Sequence, residues 1–218
     1  KIVNLDKIKI FYTNLFPIFI SGLIILVAAQ LPIIIFGILE NYEDAAIFKI
    51  LNKICSLMLI ILRAFFASTI PQISGILNKK GEVEKIYNQR NLIVFLINLV
   101  VSIIIIMLSS YIKYYFNIDF SYKSLILLLF AFNVISICGP INELYVITGH
   151  EIQMSKIFTF SFLISLPFFY YLTLNFMIIG SIFSVLIFNS ISSILLMINY
   201  YKKIGIQLFL PLHFLNND

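Results

Sequence analysis

Three cations, Lys49, Lys53 and Arg63, stand inside a long apolar stretch where a charge is hard to keep. At about 100° per residue on a helix they share an arc of about 80°. Asn52, Ser56, Ala67 and Ser74 fall near the same stripe, while Leu57, Ile61 and Phe65 fall elsewhere. A charge at the centre of a bilayer costs about 3 kcal/mol or more unless it faces protein or water. The stripe is therefore expected to look into an interior, where fixed cations suit the recognition of an anion. Lys49 is near the end of its segment and can reach the headgroups instead. Arg63 is near mid-depth without that escape, and a buried salt bridge is the rival to its contact with a substrate.

A second constellation combines Asn133, Ser136, Pro140 and Glu143, with Asn142 on another face. Glu143 is the one carboxylate placed to couple an ion or to pair with a base. Pro140 removes a backbone donor and is expected to bend its helix beside Gly139, making Asn133 and Pro140 part of a cavity wall. An earlier segment carries Pro17 and Pro32, with Asn14, Ser21 and Ala28 on one face, a pattern that serves close helix packing as well as a pathway. Catalysis finds little material. His150 and His213 lack metal-ligand spacing, and no phosphate loop, nucleophile elbow or carboxylate pair occurs. No enzyme activity, cofactor or metal is expected. His150 followed by Glu151 is the only hint of an acyltransferase. Cys55 and Cys138, both within apolar segments, read as buried structural thiols.

The elements that must position these residues are membrane spans. Of 218 residues 61% are hydrophobic and 11% charged, against about 25% charged in a soluble domain. Too few charges exist to cover a surface in water. The net charge of +5 is spread between apolar runs, so it reports topology and not a nucleic-acid footprint. Six runs approach the ~20 apolar residues that a bilayer core of about 30 Å requires: 15–39, 46–77, 92–112, 124–147, 157–174 and 176–200. The last two are separated at Asn175 and form a tight pair. Alternate gaps collect ten basic residues on one side, Lys1, Lys7, Lys9, Lys79, Lys80, Lys85, Arg90, Lys156, Lys202 and Lys203, against Lys113 and Lys123 on the other. That asymmetry places the first side, and both termini, in the cytoplasm.

The tyrosines gather at or near the segment ends, as interfacial anchors do. The connector 78–91 reads as a solvated loop near anionic headgroups, and 40–45 as a short acidic outer loop. Residues 204–218 read as a cytoplasmic or interfacial tail. A chain that starts at Lys1 and not at methionine is expected to be part of a longer one.

Two stretches resemble a known family. The run from Leu31, LPIIIFGILENYEDAAIFKILNKICSLMLIILRAFFASTIPQISGILNKKGEVEKIYNQ, is similar to the first helix pair in the carboxyl-terminal half of polysaccharide flippases. There a proline-bearing helix exits, and a polar-faced helix returns to a small-residue and proline stretch followed by a basic loop. GPINELYVITGHEIQMSK, from Gly139 to Lys156, is similar to the fourth-to-fifth helix turn of the same half. The resemblance implies an all-α membrane protein whose six transmembrane helices form one lobe of a two-lobe exporter, in the multidrug/oligosaccharidyl-lipid/polysaccharide exporter superfamily. It implies a bacterial inner-membrane location and a missing amino-terminal lobe. The implied cargo is an undecaprenyl-pyrophosphate-linked O-antigen oligosaccharide, moved during lipopolysaccharide biosynthesis. On that reading Arg63, Lys53 and Lys49 meet the diphosphate, and Asn52 and Ser56 meet sugar hydroxyls. The alternatives are an ion-coupled multidrug exporter of the same fold, a membrane-embedded polysaccharide-modifying enzyme, and an assembly subunit.

Overall fold

The computed structural model describes residues 15–206 and Leu208, and among them every regular element is a helix. The expectations for Lys1, Lys7, Lys9, Tyr12, Asn14, His213 and most of the tail lie outside the described residues. In chain order the helices are α1 (Phe16–Ile38), α2 (Tyr42–Cys55), α3 (Leu57–Gly75), α4 (Lys80–Met107), α5 (Ser109–Phe116), α6 (Tyr122–Cys138), α7 (Ile141–Ile147) and α8 (Glu151–Ile204).

Among the described residues five stretches are long and apolar enough to cross a bilayer: Phe16–Ile38, Tyr42–Gly75, Lys80–Met107, Tyr122–Ile147 and Glu151–Ile204. The fifth folds back on itself. Residues sixteen apart on one straight helix would lie about 24 Å apart, yet Ser184 Oγ donates to the Phe168 carbonyl at 3.0 Å. Thr173 and Ser181 hydroxyls meet at 3.1 Å, and the reversal sits at Met177, with φ 50° and ψ −128°. Counted as one helix or as two arms, α8 makes the spans five or six. The expected break at Asn175 is thus displaced to Met177, and Asn175 itself stays helical, donating to the Tyr171 carbonyl.

The ends of the helices follow from local chemistry. Asn41 caps α2 by accepting from the Asp44 amide at 3.2 Å, and Glu43 and Asp44 occupy the first turn, where the helix dipole favours acids. The acidic connector is therefore mostly the start of a helix. Asn117 closes α5 in the left-handed conformation at φ 52°, which Asn tolerates.

Residues 78–91 are not a loop but mostly helix, with one face exposed and the other packed. α4 begins at Lys80, because no breaker follows Gly81 and the residues up to Leu92 are mostly good helix formers. Tyr87, Asn88 and Asn91 on this extension are buried. The tyrosine belt needs the same correction: Tyr87, Tyr145 and Tyr200 are core residues, whereas Tyr42, Tyr111, Tyr114, Tyr115, Tyr122, Tyr170, Tyr171 and Tyr201 are exposed.

α6 is the central element. The fourth span is 67% buried against 22% for the first, and α6 packs against α2, α3, α4 and α8. α1 lies along α8, burying Pro17, Ser21, Ala28 and Pro32, so its small-residue face serves packing. In hydrocarbon, helices associate through close approach and hydrogen bonds, not through an apolar driving force. The α8 hairpin does so with buried Ser161, Ser165, Thr173, Ser181 and Ser184.

Candidate functional site

The site starts from the stripe that α2 and α3 bury: Ile47, Leu51, Cys55, Met58, Leu62, Phe66, Thr69 and Ile73, spaced by threes and fours. Because this face takes the core, the opposite one turns outward. Lys49, Lys53 and Arg63 are all exposed, and Asn52 and Ser56 are half-buried. The sequence predicts a stripe that looks into an interior; in the structure it lies on the outer surface of this helical unit, and of the three cations only Arg63 also borders a cavity within it. Ser56 Oγ donates to the Lys53 carbonyl at 2.7 Å and is committed to its own helix. Beyond Ile60, α3 exposes no large hydrophobic side chain. Its exposed residues there are Arg63, Ala64, Ala67, Ser68, Pro71, Gln72, Ser74 and Gly75. α4, by contrast, exposes Leu96, Val100 and Ile103.

α6 does not bend at Pro140; it stops. Gly139 adopts φ 66° and ψ −170°, Pro140 precedes the first turn of α7, and the backbone carbonyls at the end of α6 lose their helical donors. Two side chains from α4 replace them. Tyr87 Oη donates to the Cys138 carbonyl at 3.0 Å, and Asn91 Nδ2 donates to the Ile137 carbonyl at 2.6 Å. Further along the same face, Asn98 Nδ2 donates to Ser136 Oγ at 2.7 Å and to the Met58 carbonyl at 3.3 Å. Asn133 Nδ2 donates to Ser102 Oγ at 2.9 Å. Asn133 thus belongs to a buried polar ladder between α4 and α6 and does not line the cavity beside Pro140. Sequence reasoning took Tyr87 for an interfacial anchor and passed over Asn91, Asn98 and Ser102. Their spacing by fours and sevens along a hydrophobic helix was the signal, since polar residues at depth need partners.

Pro140 does line a cavity, of ≈ 110 Å³, beside the helix break. Arg63 from α3, Asn142 and Glu143 from α7, and Asn189, Ser192 and Ser193 from the returning arm of α8 supply its polar atoms, with Leu62, Phe158 and Phe188 among its apolar ones. Glu143 Oε2 and Asn142 Oδ1 are buried without a hydrogen-bond partner. No Arg63 nitrogen lies within 4.0 Å of the carboxylate, so the two charges share the cavity without forming an ion pair. The structure thus brings Arg63, Glu143 and Pro140 together, and leaves Lys49, Lys53, Asn52 and Ser56 outside. Lys53 is ten residues, about 15 Å along the helix, from Arg63.

Chemically, a carboxylate, a guanidinium, amides and hydroxyls around a small void can hold water, a proton or a small ion. The void is well below the ~300 Å³ at which pockets for drug-sized molecules begin, so an oligosaccharide has no room in it. Among the described residues no group of three His, Cys, Asp or Glu is placed to hold a metal ion. His150 Nδ1 lies 2.7 Å from the Thr148 carbonyl, and the adjacent Glu151 is buried. No protein-family model, no curated protein and no solved structure matches this chain.

Proposed function

We propose that this multi-pass helical protein is one lobe of a bacterial inner-membrane transporter. Its cargo on this reading is an anionic, lipid-linked oligosaccharide of the undecaprenyl-pyrophosphate type, and its basic end faces the cytoplasm. The observation that carries the reading is the outward stripe from Lys49 to Gly75. Lipid rejects a guanidinium and favours large apolar side chains over exposed Ser, Gln and Pro. Such a face calls for water or a second protein surface, which is what a passage shared with another lobe provides. Fixed cations along it lower the cost of carrying a diphosphate through a low-dielectric region. The resemblance to polysaccharide flippases supplies the cargo class, and the bilayer lipids and the second lobe are its partners.

The test is Arg63→Ala in the complete protein. Surface O-antigen is expected to disappear while membrane abundance stays unchanged, and Arg63→Lys should keep part of the activity. Normal antigen display by Arg63→Ala would remove the proposal.

Glu143 favours a second reading, transport coupled to an ion on the same fold. Its carboxylate oxygen is buried beside the helix break without a partner. If Glu143 couples transport to protons or sodium, Glu143→Gln will abolish the dependence of the rate on pH or sodium. An unchanged dependence would leave the carboxylate a structural role.

A further inference from the structure

The two arms of α8 form a second concavity, which shares no lining residue with the Arg63–Glu143 cavity. It is an open groove of ≈ 270 Å³, with Lys156 on the outgoing arm and Lys202 on the returning one. Both lysines are exposed at the basic end of the hairpin, and Lys202 and Lys203 stand in the last turn of α8. Apolar walls run between them: Ile157 and Phe160 from one arm, Leu195 and Ile198 from the other. Phe160 and Ile198 are exposed, so the groove is open sideways to hydrocarbon.

Among the described residues no carboxylate lines the groove, and neither lysine has an acid within ion-pair distance. The remaining lining residue is Asn199, whose side-chain oxygen lies 3.2 Å from the Tyr145 hydroxyl. What its amide has left to offer is a pair of N–H donors.

The geometry points to a site for one anionic phospholipid of the surrounding bilayer. Its phosphate bridges Lys156 and Lys202, Asn199 donates to a headgroup oxygen, and an acyl chain runs over Phe160, Leu195 and Ile198. Two cations at the water boundary above an apolar groove match an acidic headgroup joined to its tail. A zwitterionic lipid would bring its own cation to two lysines that no described acid neutralises. A free anion would use the lysines and leave the apolar walls uncovered. The bound lipid would relieve repulsion between the lysines and tie the two arms together at the end opposite Met177.

The full-length protein in neutral detergent is titrated with phosphatidylglycerol, phosphatidylethanolamine or inorganic phosphate, with thermal unfolding and intact-mass lipid adducts as readouts. Phosphatidylglycerol is expected to bind and raise the melting temperature more than phosphatidylethanolamine, and inorganic phosphate to do neither. Lys156→Gln and Lys202→Gln should each weaken phosphatidylglycerol about fivefold, and together roughly 30-fold. The same two charges removed elsewhere at the basic end, as Lys79→Gln with Lys85→Gln, should leave its affinity unchanged. The single variants carry the test if the double variant does not fold. Undiminished lipid affinity in the groove variants, an equal loss in the control pair, or a full effect from inorganic phosphate would each overturn the site.

Discussion

Gly139 is where one added methyl group has the largest predictable effect. A Cβ there would come within 2.6 Å of Asn91 Oδ1 and 2.7 Å of Tyr87 Oη, on a backbone already at φ 66°. Those two side chains cannot retreat without uncovering the Ile137 and Cys138 carbonyls. Gly139→Ala is therefore expected to lower stability by about 3 kcal/mol, from backbone strain and overlap together, in unfolding titrations in detergent micelles. Tyr87→Phe removes only the donor to Cys138 and should cost about 1 kcal/mol. Asn98→Ala, across the ladder from Ser136, should cost a similar amount, about 1 kcal/mol, because side-chain hydrogen bonds in membranes are worth little more than in water. At the opposite end, Lys113 Nζ donates to Asp119 Oδ1 at 2.7 Å and holds that exposed carboxyl below its usual range. The folded value is thus lower than the unfolded one. The contribution is present at neutral pH and is lost as pH falls through the folded value, starting below about pH 4. Asp119→Asn should flatten the acid limb of the stability–pH curve there.

At the scale of elements, the reversal in α8 rests on two unusual positions. Met177 holds φ 50° and ψ −128°, a region that glycine occupies at little cost. Met177→Gly is expected to stabilise the hairpin by about 1 kcal/mol, read as a later unfolding midpoint. Gly180 is the reverse case: a Cβ there would overlap the Leu172 carbonyl, so Gly180→Leu should splay the arms and lower the midpoint. Neither position was legible in the sequence. Phe176 and Met177 carry no turn chemistry, and the nearest turn former, Asn175, drew the expected break two residues early. The turn is set by small residues on both arms closing on each other, which is tertiary information. The break at Gly139–Pro140 was half-legible: the weak point is local, but a full stop requires Tyr87 and Asn91, 51 and 46 residues away from their acceptors. The apolar stretches themselves were plain, because length and hydropathy alone set a span. So was the cationic stripe. Its outward direction was also available, from the apolar stripe opposite it on the same helix.

At the scale of the molecule, the surface divides by what each face can touch. α4 presents Leu96, Val100 and Ile103 outward, as a lipid-facing helix does. α3 below Ile60 presents Ala64, Ala67, Ser68 and Gln72, with Arg63 at the mouth of the cavity. An arginine left against hydrocarbon would cost about 3 kcal/mol or more. Burying it against the unit's own core would displace Leu62 and Phe66, which are packed there. A covering of water or of another protein surface is the solution left, and it is what a transport passage and a second lobe have in common. A photoreactive probe confined to the bilayer core separates these faces in the full-length protein. Cysteines placed singly at 96, 100 and 103, with Cys55 and Cys138 replaced by alanine, should be labelled strongly by a probe of this kind, whose photo-generated species reacts with the thiol without needing the thiolate that hydrocarbon suppresses. Cysteines at 64, 67, 68 and 72 should be spared several-fold. Equal labelling of the two sets would mean that lipid covers α3, and the proposed passage along Lys53 and Arg63 would have no physical basis.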